Sequence, residues 1–514
     1  MLHRKQWIPL ATAILIVQAA MEGHAVFRMI RLGMLPTGWL MVVIAAAAGL
    51  VVLTACLMFG GMKKGPGKGR RIRRVIAVVL AVVMMIGSIL VSAMAMQMDD
   101  TVRTVTKKDR SVSAMVGVYV KADDPAKTIQ DAAGYTFAIM REFDRANTDQ
   151  AISSLGGVLG TDPDTSGFES AADCAAALYD NTVNAILINE SYAGTLADLD
   201  EYQSFDTDTR LLYEIPVRTG TDSDGNGAAG SSDGVSSDSS AAREVSDVTS
   251  QPFLVYISGS DTRDEVLTTS RSDVNILMAV NPKTRQIFLL NTPRDYYVPN
   301  PAGGGAEDKL THCGLYGIEC SSGALEQLYS THVSYYVQLN FTGFQSLIDG
   351  IGGITVNAPQ DFTAGGYSFT AGQNEVNGEQ ALAFARERHA FASGDNQRGQ
   401  DQMEVIRAVI EKVTSGTTVL KHYSEILNSL QNMMVTSIRA DEIEALVKMQ
   451  LSDPSRWDVR RYAVTGTGGK STTYSMPNQK AYVMYPDQAS VDQASQLLSK
   501  ILSGEQLTDA DVSA

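Results

Sequence analysis

The sequence has 514 residues, with 42 lysines and arginines against 57 aspartates and glutamates, and its net charge is −15. That balance argues against a general nucleic-acid-binding protein, and four cysteines in a chain of this length exclude a disulfide-dense secreted scaffold. The first 96 residues contain eleven basic residues and one acid, whereas the remainder contains 31 basic and 56 acidic residues. A basic, apolar N-terminal part joined to an acidic body excludes an ordinary cytosolic enzyme.

Three apolar runs predict a membrane anchor with three transmembrane helices over residues 1–97. Thr37–Met62 and Val75–Met96 are uncharged and long enough to cross a hydrocarbon core of about 30 Å. Trp7–Met21 is shorter and spans the core only if its helix continues to about Phe27. The segment between the second and third runs contains seven basic residues, and the positive-inside rule puts it in the cytoplasm. We therefore predict a multi-pass protein of the cell membrane whose C-terminal domains are extracellular.

Residues 110–217 alternate short apolar strands with amphipathic helices, which predicts a small α/β domain. The expected strands are Ala114–Val120, Tyr135–Met140 and Ala185–Asn189, and the expected helices are Thr148–Gly156 and Glu169–Tyr179. Residues 218–250 are rich in Gly, Ser and Asp, and such a composition cannot bury enough apolar surface to order itself. We predict a flexible linker or surface loop there.

Strands and helices alternate again over residues 251–504, which predicts a three-layer α/β/α domain. The expected strands are Phe253–Ser258, Val274–Val280, Gln286–Asn291, Tyr335–Asn340 and Ile354–Asn357. The expected helices are Ser322–Ser330, Thr342–Ile351, Gly378–Ala385, Asp401–Thr414 and Val491–Leu502. Residues 505–514 are expected to form a tail.

Two aspartates, Asp261 and Asp273, lie beside glycine and serine around the first strands of this domain. Short acids in that setting suit a hard cation such as Mg²⁺, which keeps waters and shares its coordination shell with substrate phosphates. The alternative interpretation is that both aspartates form or cap turns.

Four arginines stand out in this acidic domain. Arg294 follows the end of a predicted strand, and that edge of an open α/β sheet is where ligands bind. Arg386 and Arg388 follow a predicted helix, and Arg398 shares a helical face with Gln402. Guanidinium groups match phosphate oxygens bidentately, so these residues and the two aspartates together resemble a diphosphate site with one metal ion. The alternative is that the arginines pair with neighbouring acids.

Lys309 and His312, in the segment Asp-Lys-Leu-Thr-His, could supply a further cation or a general base. Cys313 and Cys320 are seven residues apart, and the predicted topology exposes them to an oxidising compartment. We predict a local disulfide between them, because no further cysteine or histidine spacing completes a zinc site. The sequence contains no G-x-S-x-G, Walker, G-x-G-x-x-G or H-E-x-x-H motif, so the serine hydrolase, ATPase, dehydrogenase and zincin classes lack their signatures.

The second half of the chain resembles the LytR-CpsA-Psr family, whose members attach glycopolymers to the Gram-positive cell wall. The similar segments are SGSDTR (258–263), RSDVNILMAVNPKTRQIFLLNTPRD (271–295), DKLTHCGLYG (308–317), YYVQLNFTGFQSLIDGIGGITV (335–356), NGEQALAFARERH (377–389) and DNQRGQDQ (395–402). Their order and spacing carry the resemblance over residues 251–504. Residues 110–217 resemble the accessory domain of the capsule-associated branch of the family.

The resemblance implies a mixed central sheet and a role for each candidate residue. Asp261 and Asp273 would bind Mg²⁺ or Mn²⁺, and the catalytic set would be these two aspartates with Arg294, Arg386 and Arg388. The groups expected to hold a lipid diphosphate are Arg294, Lys309, Arg386, Arg388, Arg398 and Gln402. The segment Phe344–Ile351 would help to enclose a polyprenyl tail. One departure is that the family often has Arg-Gln where this chain has Asp401-Gln402.

The reaction implied by the resemblance is a metal-assisted phosphotransfer at the outer face of the membrane. A capsular polysaccharide or teichoic-acid-like polymer would pass from a polyprenyl diphosphate to peptidoglycan. The expected partners are the lipid-linked glycan, the peptidoglycan acceptor and the lipid membrane, with no nucleic acid. Two alternatives stay open, namely a polyprenyl-diphosphate hydrolase and a non-enzymatic membrane sensor or regulator of capsule or wall synthesis.

Overall fold

The computed structural model describes residues 4–60, 68–105, 113–218, 245–260, 268–392, 394–415 and 433–512. These residues belong to two compact units. Among the described residues, one unit contains the long N-terminal helices together with residues 413–415 and 439–456, and the other contains the remainder of the chain from residue 113 onward.

The N-terminal unit begins with three long helices, α1 (Arg4–Leu32), α2 (Thr37–Phe59) and α3 (Lys68–Val105). Within the described residues, three helical segments are long and apolar enough to cross a membrane: Gln6–Leu32, Thr37–Phe59 and Arg71–Asp99. The first helix continues well beyond Met21, as a membrane span there requires. Large apolar side chains on the outer surfaces of these helices are exposed, which is typical of helices that face lipid.

Polar side chains within this bundle are hydrogen-bonded to one another. The amide nitrogen of Gln18 donates to the Glu22 carboxylate at 2.8 Å and to the Thr54 hydroxyl at 3.4 Å. All three side chains are buried. Polar groups in an apolar helix are costly unless they face the interior of a bundle and find partners, so this contact explains how α1 continues through a charged residue.

The first α/β domain is a mixed sheet flanked by helices. It contains β1 (Ser113–Lys121), β2 (Thr136–Met140), α4 (Arg145–Leu159), β3 (Asp164–Phe168), α5 (Ala171–Tyr179), β4 (Ala185–Asn189), α6 (Glu190–Leu196), α7 (Phe205–Asp208) and β5 (Thr209–Arg218). Its strand order is β3-β2-β4-β1-β5 over the part of the chain that is described. β2 pairs in parallel with β3 and β4, whereas β1 pairs antiparallel with β4 and β5. The α/β character predicted for residues 110–217 agrees with this sheet.

The second α/β domain is built on a larger mixed sheet. Its first half contains β6 (Phe253–Ser260), β7 (Ser272–Asn281), β8 (Gln286–Asn291), β9 (Tyr297–Asn300), β10 (Ala306–Lys309), α8 (Leu310–Cys313), α9 (Ile318–Tyr329), β11 (Tyr335–Asn340) and α10 (Phe341–Gly350). There follow β12 (Ile354–Ala358), β13 (Phe362–Ala364), β14 (Tyr367–Phe369), β15 (Gly372–Val376), α11 (Gly378–Arg386), α12 (Asp395–Thr414) and β16 (Met434–Thr436). The helix α13 (Ala440–Ser452) follows in the chain but belongs to the unit of the N-terminal helices. The domain ends with β17 (Asp458–Ala463), β18 (Gly466–Thr473), β19 (Met476–Pro486), α14 (Gln488–Leu502) and α15 (Asp509–Val512).

Helices cover both faces of this sheet, whose order among the described strands is β16-β11-β6-β7-β8-β17. Successive side chains of a strand point to opposite faces. On one face, Tyr256 and Phe288 form a core with Leu325 of α9 and Leu498 of α14. On the other face, α10, α11 and α12 lie over the sheet and enclose a cavity. The expected three-layer α/β/α architecture with a mixed sheet is therefore present.

The described parts of the predicted linker and of the predicted tail each contain a buried apolar residue. Most of the predicted linker, residues 219–244, lies outside the described residues. Its last part, residues 245–250, is a turn in which Val248 is buried. The predicted tail packs against the domain, because Leu507 is buried and its backbone exchanges hydrogen bonds of 2.7 and 2.9 Å with the Gln286 side chain.

Candidate diphosphate site

The ends of three neighbouring strands bring Asp273 and Arg294 together. β7 runs antiparallel to β6 and β8, so its start lies beside the ends of the other two. Asp273 is the second residue of β7, and Arg294 follows the end of β8. Nη1 of Arg294 lies 3.0 Å from Oδ1 of Asp273, and the Thr311 hydroxyl donates to the same oxygen at 3.2 Å. The sheet edge thus presents a guanidinium group held by a carboxylate.

Lys309 joins the same cluster but is buried within it. The backbone N–H of Thr311 donates to the Arg294 carbonyl at 2.8 Å, which ties the two segments together. Nζ of Lys309 lies 2.7 Å from Oδ1 of Asp295, and the residue is 1% exposed. A buried ammonium must be paired with carboxylates, so a direct contact between Lys309 and the diphosphate stays a prediction.

His312 is also buried, directly behind Lys309. Its Nδ1 lies 2.8 Å from Oδ1 of Asp308, and its Nε2 lies 3.8 Å from Oδ2 of Asp198. Burial lowers the pKa of His312, but the charge of Asp308 and the hydrogen bonds to both carboxylates outweigh burial and raise this pKa. A buried imidazole that lies between two carboxylates fits a structural role better than that of a general base.

The first turn of α12 brings Arg398 to the same sheet edge. A Cβ atom on Gly399 would lie 2.2 Å from the side-chain amide nitrogen of Asn291. Glycine therefore allows α12 to approach the end of β8 without displacing this side chain. Nη2 of Arg398 lies 2.7 Å from Oδ1 of Asp395, and its charge acts on Asp273. The ion pair with Asp395, one of the two sequence-based alternatives for this arginine, is therefore formed beside the cluster.

The cluster holds its central carboxylate ionised. Burial would raise the pKa of Asp273, but the charges of Arg294, Arg271 and Arg398 outweigh it and hold this pKa well below its usual range. The Asp273 carboxylate in turn raises the pKa of Arg294. An aspartate in this state accepts hydrogen bonds and binds cations well, but it is a weak proton acceptor.

Two further charged residues of the cluster were not identified from the sequence. Nη1 of Arg271, which directly precedes β7, lies 3.8 Å from Oδ1 of Asp198. Asp198 belongs to the first α/β domain, and its carboxylate also lies 2.9 Å from Nζ of Lys309. Arg271 could have been found from its position beside Asp273, whereas Asp198 has no local motif.

Arg386 and Gln402 lie at a cavity on the other side of the sheet edge. The cavity has a volume of about 290 Å³ and is lined mainly by apolar side chains, among them Phe344 and Leu347 of α10. Gln402 and Arg386 are its polar lining residues on α12 and α11, and the Arg386 guanidinium lies 4.5 Å from the centre of the Phe341 ring. The segment expected to enclose a polyprenyl tail therefore contributes to an apolar cavity.

The cavity and the charged cluster share one edge of the sheet. Gly259 and Ser260, at the end of β6, line the cavity, and Ser260 pairs with Ser272, the residue before Asp273. Arg388 is exposed, and its Nε lies 3.4 Å from Nε2 of His389. The structure thus brings together Asp273, Arg294, Lys309 and Arg398, sets Arg386 and Gln402 at the neighbouring cavity, and leaves Arg388 on the surface.

A metal ion at this edge would rely on Asp273 and Asp261. No group of three or more histidine, cysteine, aspartate or glutamate side chains suited to a metal occurs within the described residues, and Asp261 lies outside them. Mg²⁺ keeps several waters and is often held by one or two carboxylates together with substrate phosphates. The hard oxygen of Asp273, beside cationic groups that attract phosphate, fits Mg²⁺ or Mn²⁺ bound in that manner.

The two cysteines of the predicted disulfide are buried neighbours. The structure differs from the prediction in describing Cys313 and Cys320 as free thiols. Hydrogen bonding to Cys320 is the main cause of a raised pKa at Cys313, and Sγ of Cys320 lies 3.1 Å from Oδ1 of Asn300. The contact between the two thiols is compatible with oxidation, so the disulfide stays a prediction.

We expect the two thiols to be joined in protein isolated from the oxidising side of a membrane. The full chain would be alkylated under denaturing conditions without reductant, and its intact mass would be measured. Two alkyl groups, on Cys56 and Cys174, are the expected result, and a reduced sample should carry four. Four alkyl groups without reductant would contradict the pairing.

Asp401 occupies the position at which the family resemblance implies an arginine. The residue is 2% exposed, and its Oδ1 accepts a hydrogen bond of 2.9 Å from Gln397 one turn earlier. Burial, with a smaller effect of Glu404, raises the pKa of Asp401 to about 7. Burial thus favours the neutral form of this carboxyl group below about pH 7.

We expect Asp401→Asn to stabilise the protein at high pH only. Because the pKa rises from 3.8 in the unfolded chain to about 7 in the folded chain, the folded state binds the proton more tightly between these values. The free energy of unfolding then falls as pH rises from about 4 to 7. At about 1.4 kcal/mol per pKa unit, the asparagine variant gains at most about 4 kcal/mol at pH 8 and almost nothing at pH 4.

Denaturant titration of the detergent-solubilised chain at both pH values measures this difference. The exposed Asp492 accepts a hydrogen bond from Gln488 at 2.7 Å, so Asp492→Asn is a matched control with no expected gain. Equal gains for Asp401→Asn at pH 4 and pH 8 would show that the burial of its charge is not the cause.

A cluster of buried guanidinium groups next to an apolar cavity suits a ligand with an anionic head and an apolar chain. The LytR_cpsA_psr family model matches residues 223–499, which is more than half of the chain. The chain belongs to this family.

Two curated relatives and one solved structure extend the comparison. The "Polyisoprenyl-teichoic acid--peptidoglycan teichoic acid transferase TagU" of Enterococcus faecalis (strain ATCC 700802 / V583) is 35% identical over 198 residues, which cover 38% of this chain and 65% of that protein. The Bacillus subtilis (strain 168) protein of the same name is 32% identical over 229 residues, which cover 44% of this chain and 73% of that protein. The crystal structure of B. subtilis TagU matches with a TM-score of 0.39 and 27% identity, over 50% of this chain and 100% of that one.

Proposed function

We propose that the chain transfers a glycopolymer from a polyprenyl diphosphate to peptidoglycan. The observation that carries this proposal is the adjacency, at one sheet edge, of the Arg294 and Arg398 guanidinium groups and the apolar cavity of about 290 Å³. An anionic head and an apolar tail are the two parts of such a donor. The relatives named above, whose names describe teichoic acid transfer to peptidoglycan, support the transfer of a teichoic-acid-like polymer, and a capsular polysaccharide is the other polymer that we propose.

The reaction is a substitution at the phosphorus atom next to the sugar. An acceptor hydroxyl oxygen forms a bond to this phosphorus, and the bond from the phosphorus to the bridging oxygen breaks. Polyprenyl phosphate leaves with the bridging oxygen, and it can take up the proton lost by the hydroxyl. Asp273 is a weak base in its cationic surroundings, so the protein acts mainly by positioning the phosphates and stabilising their charge.

The chain's own residues divide this work. Arg294 and Arg398 hold the phosphoryl oxygens, and Arg386 and Gln402 bind the diphosphate where the cavity begins. Asp273, with Asp261, would hold Mg²⁺ or Mn²⁺, and this ion supplies additional positive charge to the phosphoryl oxygens when it is bound. The apolar side chains of α10 and α12 orient the lipid.

The N-terminal helices fit this function if they anchor the chain in the cell membrane. The basic segment between α2 and α3 would then be cytoplasmic, and the two α/β domains would lie outside, where peptidoglycan is found. A multi-pass anchor keeps the site close to a donor that is itself held in the membrane.

Product analysis tests the proposal. The full chain would be reconstituted in vesicles with a lipid-linked glycan, Mg²⁺ and peptidoglycan fragments. We expect a glycan joined to peptidoglycan through a phosphodiester, together with polyprenyl phosphate. Free phosphorylated glycan would identify a hydrolase, and the absence of any product, with donor binding retained, would favour a sensor.

A further inference from the structure

One carboxylate of the charged cluster comes from the other α/β domain. Asp198 follows α6, and its side chain is 11% exposed. Its carboxylate lies 2.9 Å from Nζ of Lys309, 3.8 Å from Nη1 of Arg271 and 4.0 Å from Nη2 of Arg294. Asp198 therefore connects the ammonium and the two guanidinium groups that surround the sheet edge.

The segment that carries Asp198 is fixed to the second domain by packing. Leu196 and Leu199, on either side of Asp198, belong to one buried core with Leu315 and Met476 of the second domain. The Ser191 hydroxyl donates to the carbonyl of Thr269 at 2.6 Å. Apolar burial and a hydrogen bond therefore hold the segment that carries Asp198 against the second domain.

The environment of Lys309 shows what Asp198 does. The Lys309 ammonium is buried and lies between Asp198, at 2.9 Å, and Asp295, at 2.7 Å. Asp295 in turn lies 3.8 Å from Nε of Arg294, so Asp198 and Asp295 flank the same guanidinium group. Removing one of these carboxylates would leave a buried cation with a single partner and free Arg294 to shift.

We propose that Asp198 is a positioning residue for the phosphotransfer, which holds Lys309 and Arg294 in the geometry that receives the diphosphate. This inference rests on the proposed function. Asp198 acts through the cations of the site, because its carboxylate contacts Lys309, Arg271 and Arg294 and a negative charge does not attract a diphosphate. The first α/β domain is then a structural component of the active site rather than a separate module.

Asp198→Asn tests this inference in the full, reconstituted chain. The substitution keeps the size of the side chain and removes its charge. We expect kcat to fall about 10–100-fold, which is the usual loss when a residue that orients the ligand-binding side chains is removed. The KM for the lipid-linked donor should change less than kcat, because the cations that attract the diphosphate remain in the site and only their positions change.

The matched control is Asp200→Asn. Asp200 lies two residues further along, is exposed and forms an ion pair with Lys470 of the second domain. This pair joins the same two domains, but exposed ion pairs contribute only up to about 1 kcal/mol. We expect the kcat of Asp200→Asn to stay within about two-fold of the wild type. Its thermal midpoint shows how far a weakened contact between the two domains lowers stability, and this effect can then be distinguished from the displacement of a cation in Asp198→Asn.

The outcomes are distinct. An unchanged kcat per donor-binding site in Asp198→Asn would overturn the inference. An increased kcat would also overturn it, because it would show that the carboxylate of Asp198 competes with the substrate phosphates for the cations. If Asp198→Asn does not fold, Asp198→Glu keeps the charge but displaces it, and a wild-type kcat in that variant would overturn the inference. An inactive wild-type chain would instead remove the proposed function itself.

Discussion

Arg294→Lys is expected to lower glycopolymer transfer by about 10²–10³-fold, the loss that follows removal of one preorganised donor from a transition state. The Arg294 guanidinium faces Asp273, Asp295 and Asp198 at 3.0, 3.8 and 4.0 Å from three different nitrogens. Lysine keeps the charge but concentrates it in one ammonium group, which cannot contact these carboxylates and a phosphate with the same geometry.

Turnover of the lipid-linked donor and the thermal midpoint of the full chain would both be measured. We expect the midpoint of Arg294→Lys to stay near that of the wild type, because the carboxylates retain a cationic partner. Arg294→Ala is a poorer test, because the buried carboxylates would lose a cationic partner, which should cost roughly 3–5 kcal/mol of stability. Arg460→Lys is the control, because Arg460 pairs with Asp458 at 2.9 Å on the edge strand β17. Turnover within about three-fold of the wild type would remove Arg294 from the site, because it would amount to less than 1 kcal/mol.

The second large effect is expected from chelation. Excess EDTA should lower transfer at least about 100-fold, because a metal ion supplies several kcal/mol of charge stabilisation in such reactions. Mg²⁺ or Mn²⁺ should restore the rate, since both prefer hard oxygen ligands. Asp273→Asn should reduce both the rate and its dependence on the metal.

EDTA already saturated with Mg²⁺ is the matched control, since it adds the same amount of chelator but does not remove Mg²⁺ from the protein. Transfer that continues unchanged in excess free chelator would exclude the ion from the mechanism. The role of both aspartates as metal ligands would then fail, although the Asp273–Arg294 contact would stand.

The sequence predicts those parts of the fold that have a strong local pattern. Ala185–Asn189 forms β4 with the predicted bounds, because all five residues are buried and apolar or paired. The strand β17, at the edge of the sheet, is not predicted, because the charged residues Arg460 and Arg461 interrupt the apolar pattern by which a strand is recognised. The hairpin β18–β19 is not predicted either, because Gly, Ser and Thr dominate its first strand.

The candidate site follows the same rule. Asp273 and Arg294 lie next to strand ends, and strand register alone brings them together. The burial of Lys309 and its contact with Asp198 could not be predicted, because both depend on how the two α/β domains pack against each other. Positions 198 and 309 are far apart in the chain, and no local spacing records their contact.

The core shared by the two α/β domains also limits how this protein can be divided or recombined. Deleting residues 110–217 would expose Leu315, Met476 and Ala481 to water, so a deletion strain would report misfolding together with any loss of activity. A chimera that carries the first domain of another family member would face the same difficulty. The chimera should be active only if the introduced domain has both a matching apolar surface and an acid at the position of Asp198. These two features are therefore the minimum that must be transferred together.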